Sequence, residues 1–250
     1  MTTKDKLDTI FINQSFAGNE HLSDDFSHYC RIAEMYAEIE NSIAGVSDLK
    51  SRVGYICYGK IAEYLKIGSK GDCHKVDSIW EDEVFSLILP EDVEKRHVDE
   101  LRFIHFLKNV PVYHRKDYYL NVSLRVKEKY GHHLVMRHRD FCLGYLSNGS
   151  FRYMLALYSL TNGGNGPSTI VNSITGESMA IMQHDCQDIL TNREKQILRM
   201  INDGVISKEI AQRLDISINT VNTHRQNILA KLNVANSIEA CRIAAAIGVL

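Results

Sequence analysis

The sequence predicts an α+β domain built on a five-stranded antiparallel sheet, followed by a separate all-α domain of four helices. Three observations lead there. The β-rich runs DYYLNVSLRVKEKY, HHLVMRHRDFCLGYL and SFRYMLALYSL follow one another with only the turn sequences Gly131-His132-His133 and Ser147-Asn148-Gly149-Ser150 between them, which is the pattern of hairpin-linked strands. From Leu190 to the end of the chain, apolar residues recur at helical spacing. Between these regions lies TNGGNGPSTIVNSITGES, Thr161 to Ser178, rich in the residues of turns and loops.

The elements follow in order. Ser23 to Ile43 places Phe26, Cys30, Ala33 and Ala37 along one stripe, an amphipathic helix. RVGYICYGKIAEYLKIGSKGD reads as a short strand, a break and a short helix. LPEDVEKRHVDELRFIHFLKN puts Pro90 at a helix start with acids in the first turn, where the helix dipole favours them. Three strands over 117–128, 133–146 and 151–160 close the sheet. The expected boundaries are 1–45 for an N-terminal helical extension, 46–175 for the sheet domain, 176–187 for a linker and 188–250 for the helical domain.

A chain of 250 residues accommodates two such domains. Its hydrophobic content of 44% and charged content of 24% are those of an ordinary soluble globular protein. A net charge of -2 supplies no global attraction to nucleic acid or to an anionic membrane. Contact with DNA would have to come from local charge and oriented helix ends. No apolar run reaches the roughly 20 residues that span a bilayer, and MTTKDKLDTIFINQSF lacks the plan of a signal peptide. The six cysteines, Cys30, Cys57, Cys73, Cys142, Cys186 and Cys241, show no CxxC pair or ligand spacing. They read as reduced thiols, and the protein as cytoplasmic, with no membrane partner.

In the helical region Thr191 and Glu194 form a capping box. The first helix buries Ile197, Leu198 and Ile201 and stops at Gly204. Ser207 caps a second helix that buries Ile210, Ala211 and Leu214, and Ser217 caps a third. On a wheel of about 100° per residue, Val221, Ile228 and Leu232 share one arc. Asn219, Asn222, Thr223, Gln226 and Ala230 occupy the opposite one. That face carries amides and a hydroxyl and no acid. Asn and Gln fit the adenine edge in the major groove, and a capped helix N-terminus attracts phosphate. A solvated surface face has the same polarity, so the wheel alone leaves both readings open.

Leu190-Thr191 with Arg193-Glu194, then SKEIAQRL, IS and TVNTHRQNILAKL, resemble the helix-turn-helix domain of the LuxR/NarL (GerE-type) transcription regulators. The likeness runs without a gap through about sixty residues. It implies four helices, the third in the major groove of double-stranded DNA and the fourth pairing two copies. By position it implies Asn219, Asn222, Thr223 and Gln226 as base readers, and Ser217, Thr220, Lys208 and Arg225 as phosphate contacts. Related proteins commonly carry lysine on the groove face; this one has none there, which weakens the expected salt-dependent part of its affinity. In NSIEACRIAAAIGVL, Ile238, Arg242 and Ala245 form a row suited to a homodimer, while one broad buried face is an equal reading. A dimer predicts a pseudo-palindromic site, and RNA polymerase is a further candidate partner of such a regulator.

The first 180 residues would then be an input. A phosphoacceptor receiver would show an early acidic pair and alternating βα units, which are absent. An acyl-homoserine-lactone domain would carry several tryptophans, whereas Trp80 stands alone. GYICYGKIAEYLKIGSKGD and WEDEVFSLILPEDVEKR resemble the opening strands and the Pro-Glu-Asp element of PAS domains, over about residues 50–160. The resemblance implies a PAS-like sensing or dimerising domain, its input an autoinducer-like small molecule or a protein partner. His132, His133 and His138 are tempting ligands, but Arg137, Arg139 and Lys129 beside them disfavour a bound cation. They are expected to be a solvated cluster at a hairpin end. With Asp140 or Glu128 they also form the nearest thing to a catalytic group. Nothing marks a nucleophile elbow, a phosphate loop or a metal motif. The sequence therefore predicts no enzyme, no cofactor and no metal. Phe103, Phe106, Tyr113, Tyr118, Tyr119, Phe151, Tyr153 and Tyr158 read chiefly as packing.

Overall fold

A computed structural model describes residues 3–12, 14–16, 26–127, 134–162, 164, 166–181, 190–232 and 236–246. The chain divides into two compact units, Leu7–Ile181 and a second made of Met182–Leu250 with the first six residues.

In the larger unit the elements are α1 (Thr3–Ile12, begun just before the boundary), α2 (Phe26–Ile39), β1 (Ile43–Asp48), β2 (Val53–Tyr58), α3 (Lys60–Leu65), β3 (Cys73–Val76), α4 (Asp82–Phe85), α5 (Pro90–Asn109), a 3-10 turn (Val112–Asp117), β4 (Tyr118–Arg125), β5 (Val135–Tyr145), β6 (Phe151–Thr161), β7 (Thr169–Asn172) and β8 (Ser178–Ala180). All strands among the described residues join one antiparallel sheet of eight, in the order β3-β2-β1-β6-β5-β4-β7-β8. The expected sheet had five. The three closing strands fall where the sequence places them, and Pro90 occupies the first turn of α5. Gly149, at φ +82°, makes the β5–β6 turn, with its amide on the Leu146 carbonyl at 2.8 Å. The turn at 131–133 lies outside the described residues.

The differences have local causes. β1, IAGVSD, is buried at all six positions, so it shows no alternation to read, and its Gly, Ser and Asp argue against a strand. It begins at Ile43, so the expected boundary at residue 45 cuts through it. The segment 161–178, part of which was expected to be a turn or loop, contains β7, and the expected linker at 176–187 opens inside the β7–β8 hairpin, which Gly176 turns at φ +75°. Both strands are short, and the segment's Ser, Thr and Asn mask them.

Strand alternation gives the sheet two faces. On one, Ala44, Val46, Cys57, Tyr153, Leu155 and Leu157 pack against Tyr29, Cys30, Ala33 and Ala37 of α2. Residues of opposite parity, among them Ile43, Ile56, Met154, Ala156 and Tyr158, face the side on which α5 lies against β4. Gly45 serves a close approach there: a Cβ at that position would sit 2.6 Å from Glu81 Oε1. Cys57 and Cys73, directly opposed on β2 and β3, form a disulfide, correcting the reading of every cysteine as a free thiol. Cys30, Cys142 and Cys241 are free and buried, and Cys186 lies outside the described residues.

The smaller unit holds α6 (Asn192–Asn202), α7 (Ser207–Arg213), α8 (Ile218–Leu232) and α9 (Ser237–Ala246). Ile197, Leu198, Ile210, Val221, Ile228, Leu232, Ala240 and Ala244 form its core. Ile201 and Leu214 are half-buried rather than buried. No helix among the described residues is long and apolar enough to cross a membrane.

Candidate functional site

The four-helix unit positions α8 from both ends. At the start of α6 the capping box is formed: Glu194 N–H donates to Thr191 Oγ1 at 3.2 Å, and Thr191 N–H to Glu194 Oε2 at 2.7 Å. Two helix ends share one geometry. After α6, Gly204 is left-handed, its amide on the Ile201 carbonyl and the Val205 amide on the Met200 carbonyl. After α7, Asp215 takes the same role at φ 50°, with the Ile216 amide reaching the Ala211 carbonyl at 3.0 Å. The α7–α8 joint is thus a Schellman turn closed by an aspartate instead of a glycine. Arg193 Nη2 reaches across to the Leu214 carbonyl at 2.9 Å and fixes this joint from α6.

Ser217 then caps α8, accepting from the Thr220 amide at 3.0 Å, as the sequence predicts. Ser207 does not cap α7: Ile206 holds that position without a side-chain bond, and the Ser207 hydroxyl instead accepts from Arg225 Nη1 at 2.9 Å. Arg225 Nη2 donates to Ser237 Oγ at 3.0 Å. A half-buried guanidinium therefore ties the starts of α7 and α9 to the middle of α8. Sequence reasoning placed Arg225 toward phosphate and missed these bonds, because neither serine is a helical neighbour of it.

The two faces of α8 separate as the wheel predicts. Val221, Ile228 and Leu232 are buried, while Asn219, Asn222, Thr223 and Gln226 are exposed, as are Ser217, Thr220 and Lys208. The Ala230 side chain lies outside the described residues. Thr223 Oγ1 donates to the Asn219 carbonyl at 3.0 Å, which directs its lone pairs outward as acceptors. No acidic residue stands in the first turn of α8. An exposed row of amides beside a capped N-terminus can donate to and accept from base edges while the helix end faces phosphate. In α9 Ile238 is 75% exposed; the side chains of Arg242 and Ala245 lie outside the described residues.

With that geometry in place, the comparisons decide what the unit is. Residues 188–244 match the model of the luxR family of bacterial regulatory proteins. This segment is a luxR-type helix-turn-helix. It is 52% identical over 60 residues to the uncharacterized response regulatory protein YgeK of Escherichia coli K12, covering 24% of this chain and 41% of that protein. It is 45% identical over 56 residues to the transcriptional regulatory protein UhpA of the same organism, covering 22% and 29%. The chain thus spans less than half of the length of either. Among solved structures, a phage VqmA–DPO complex aligns over 90% of this chain and 89% of its own, with 16% identity and a TM-score of 0.28. So low a score supports no statement about the larger unit.

The larger unit carries a second concentration of chemistry, in its core. Arg96 is 2% exposed; its Nη1 lies 2.9 Å from Glu100 Oε2 and its Nη2 3.3 Å from Asp140 Oδ2. The guanidinium sits 4.8 Å from the Phe85 ring centroid and 5.3 Å from that of Trp80. Tyr158 donates to Glu81 Oε2 at 3.0 Å. Burial pushes the Glu81 carboxyl up to about 7, with Arg96 pulling it down and Asp140 pushing it up. Burial also raises Glu100 well above the carboxylate range against the pull of Arg96. Trp80, Glu81, Arg96, Glu100 and Asp140 line a cavity of about 10 Å³, the size of one water.

His138 belongs to this core and not to a solvated hairpin end. It is fully buried, stacked on Tyr158 at 4.6 Å, with Nε2 3.4 Å from Asp140 Oδ1. Burial lowers its pKa, which Asp140 opposes and Arg96 reinforces. His132, His133, Lys129 and Glu128 lie outside the described residues. Phe103, Phe151, Tyr153 and Tyr158 are core, and Tyr113 is exposed. Sequence reasoning missed the Arg96 cluster because α5 buries Asp92, Arg96, Asp99 and Glu100 in a stretch that reads as a charged surface helix.

Proposed function

We propose that this chain is a sequence-specific transcription regulator that reads double-stranded DNA with α8 and receives its input through the larger unit. One observation carries the reading. The matched segment presents Asn219, Asn222, Thr223 and Gln226 to solvent from a helix whose opposite face is fully buried. A surface helix needs no acid-free amide row, whereas a groove reader does. Ser217, Thr220 and Lys208 flank that row as phosphate contacts. Arg225 joins them through the N–H groups its two serines leave over.

The larger unit supports a PAS-like input domain. An opening strand pair (β1, β2), short helices, a long helix begun by Pro90, and three closing strands follow one another. It works as a homodimer in the cytoplasm, with RNA polymerase as its downstream partner. Ile238, Arg242 and Ala245 of α9 pair the readers. On the outer side of α2, Met35 is 59% and Ile39 72% exposed beside a groove lined by Ile32, Tyr36 and Glu40, an apolar surface suited to a second contact. The reading assigns no catalysis, metal or cofactor.

Selection of bound duplexes from a random pool, followed by gel shifts with Asn222→Ala and Thr223→Ala, tests the proposal. Each substitution is expected to weaken binding by about 1–3 kcal/mol at a defined base position. Unchanged affinity and preference in both variants would remove the assigned reading surface.

A further inference from the structure

Cys57 and Cys73 face each other across β2 and β3, and the structure joins them. A regulator that meets DNA works where low-molecular-weight thiols keep cysteines reduced, and a disulfide there is transient by default. That step rests on the function proposed above; the remaining observations are geometric.

The bond is reachable from solvent. An open pocket of about 580 Å³ is lined by both cysteines together with Tyr55, Tyr58, Glu34 and Lys70, a volume in the range of small-molecule sites. Cys57 is fully buried, whereas Cys73 is part-exposed at the start of the edge strand. An attacking thiolate therefore meets Cys73 Sγ, and Cys57 is the sulfur that leaves.

The bond also holds something. β3 has four residues with no fully buried side chain, and beyond its ladder to β2 its contacts include His74 Nε2 to Glu83 Oε1 at 3.7 Å and the His74 ring against Tyr58. The chain leaving β3 runs directly to Trp80 and Glu81, which line the Arg96 cavity. A covalent tie at Cys73 thus anchors the segment that closes the charged core from the β3 side.

We infer that Cys57–Cys73 is a reversible thiol–disulfide exchange site, open to low-molecular-weight thiols through the Tyr55–Tyr58 pocket, that fastens β3 and the segment leading from it to Glu81. In reduction, a thiolate RS⁻ bonds to Cys73 Sγ, the Sγ–Sγ bond breaks, and Cys57 leaves as a thiolate that takes a proton. A second RSH then releases RSSR and leaves both cysteines as thiols. Oxidation is the reverse, with RSSR as the oxidant.

Glu34 provides the competing reading, since its carboxylate and the two sulfurs lie within 4.8 Å of one another, close enough to hold a thiophilic metal in the reduced state. The test uses the full chain with Cys186→Ser, equilibrated in glutathione buffers of graded ratio and then labelled with a thiol-specific mass tag. Peptide mapping is expected to show Cys57 and Cys73 gaining one tag each, together and reversibly, as reduced glutathione rises. Cys57→Ser is expected to leave Cys73 carrying one glutathione under oxidising buffer. Amide exchange in β3 is expected to quicken on reduction by about tenfold or more, with β5 and β6 unchanged.

A pair that stays oxidised in reduced glutathione, or stays reduced in glutathione disulfide, overturns the inference. So does a reduced pair that stoichiometric Zn²⁺ shields from both the tag and glutathione disulfide, which would make it a metal site. None of these readouts involves DNA, so the exchange site and the regulator reading can fail separately.

Discussion

Lys231 Nζ donates to Glu194 Oε2 at 2.7 Å, joining the last turn of α8 to the first turn of α6 across 37 positions of sequence. The same carboxylate oxygen receives the Thr191 amide, so one buried acid completes a helix cap and holds the proposed reader in place. Burial alone would raise the Glu194 pKa, but the bonds from Lys231 and Thr191 outweigh it, and the net shift is downward. A carboxyl depressed in the folded state stabilises fully above its unfolded pKa, and that stability disappears as pH falls through the folded value. Acid titration of the four-helix unit, followed by circular dichroism, is expected to show this loss only below the ordinary glutamate range. Lys231→Met should cost about 1–2 kcal/mol at neutral pH, because it leaves a buried carboxylate short of a donor.

Glu81 in the core of the larger unit gives the opposite slope. Its carboxyl is raised to about 7 by burial, moderated by Arg96 and Tyr158 and reinforced by Asp140. A raised carboxyl contributes fully below its unfolded pKa, and its contribution is lost as pH rises toward the folded value, levelling above it. Denaturant midpoints of the sheet domain should therefore decline between about pH 5 and 7, and Glu81→Gln should make that decline shallower, leaving the part that the raised Glu100 carboxyl contributes with the same sign. A wild-type profile without slope in that interval would contradict the assignment.

Arg96→Met is expected to destabilise the sheet domain by about 3–5 kcal/mol, since the buried Asp140 carboxylate would lose its cation and Glu100 its neighbouring guanidinium. Replacing Arg96, Glu100 and Asp140 together by apolar residues of similar volume should cost much less than the single change. A thermal melt of the two variants checks the order.

Asp215→Gly tests the turn before α8. A left-handed non-glycine residue costs roughly 1 kcal/mol, so glycine there should raise the stability of the four-helix unit by somewhat less than that, after its greater unfolded-state freedom is counted. A lower melting temperature in the variant would show that the aspartate contributes more than it strains.

Salt dependence separates Lys208 from Arg225. Lys208 is exposed and Arg225 is held by Ser207 and Ser237. Lys208→Ala should reduce the slope of log affinity against log salt by about one with no loss of stability. Arg225→Ala should lower the melting temperature of the unit as its main effect.

What the sequence revealed and what it hid follow one physical line. The capping box at Thr191, the two faces of α8, the proline start of α5 and the three closing strands all rest on residues near one another in sequence. The features that escaped rest on long-range partners. β1 is buried on both faces and so shows no rhythm, β7 and β8 carry turn-forming residues, and the Cys57–Cys73 bond depends on register between strands. His138 looked solvated because its sequence neighbours are basic, whereas in space its neighbours are Tyr158, Asp140 and Arg96. Ser207 lost its expected cap because Arg225, 18 positions away, claims the hydroxyl.

Trp80 is the only tryptophan of the chain. It donates from Nε1 to Asp8 Oδ1 at 2.7 Å and touches His97 edge-on, beside the Arg96 guanidinium. Indole fluorescence of the native protein is consequently a built-in reporter of the charged core alone. Emission excited through that ring can follow the core during ligand screens, thiol titrations or assembly without any label, while the four-helix unit, which holds no tryptophan, stays optically silent.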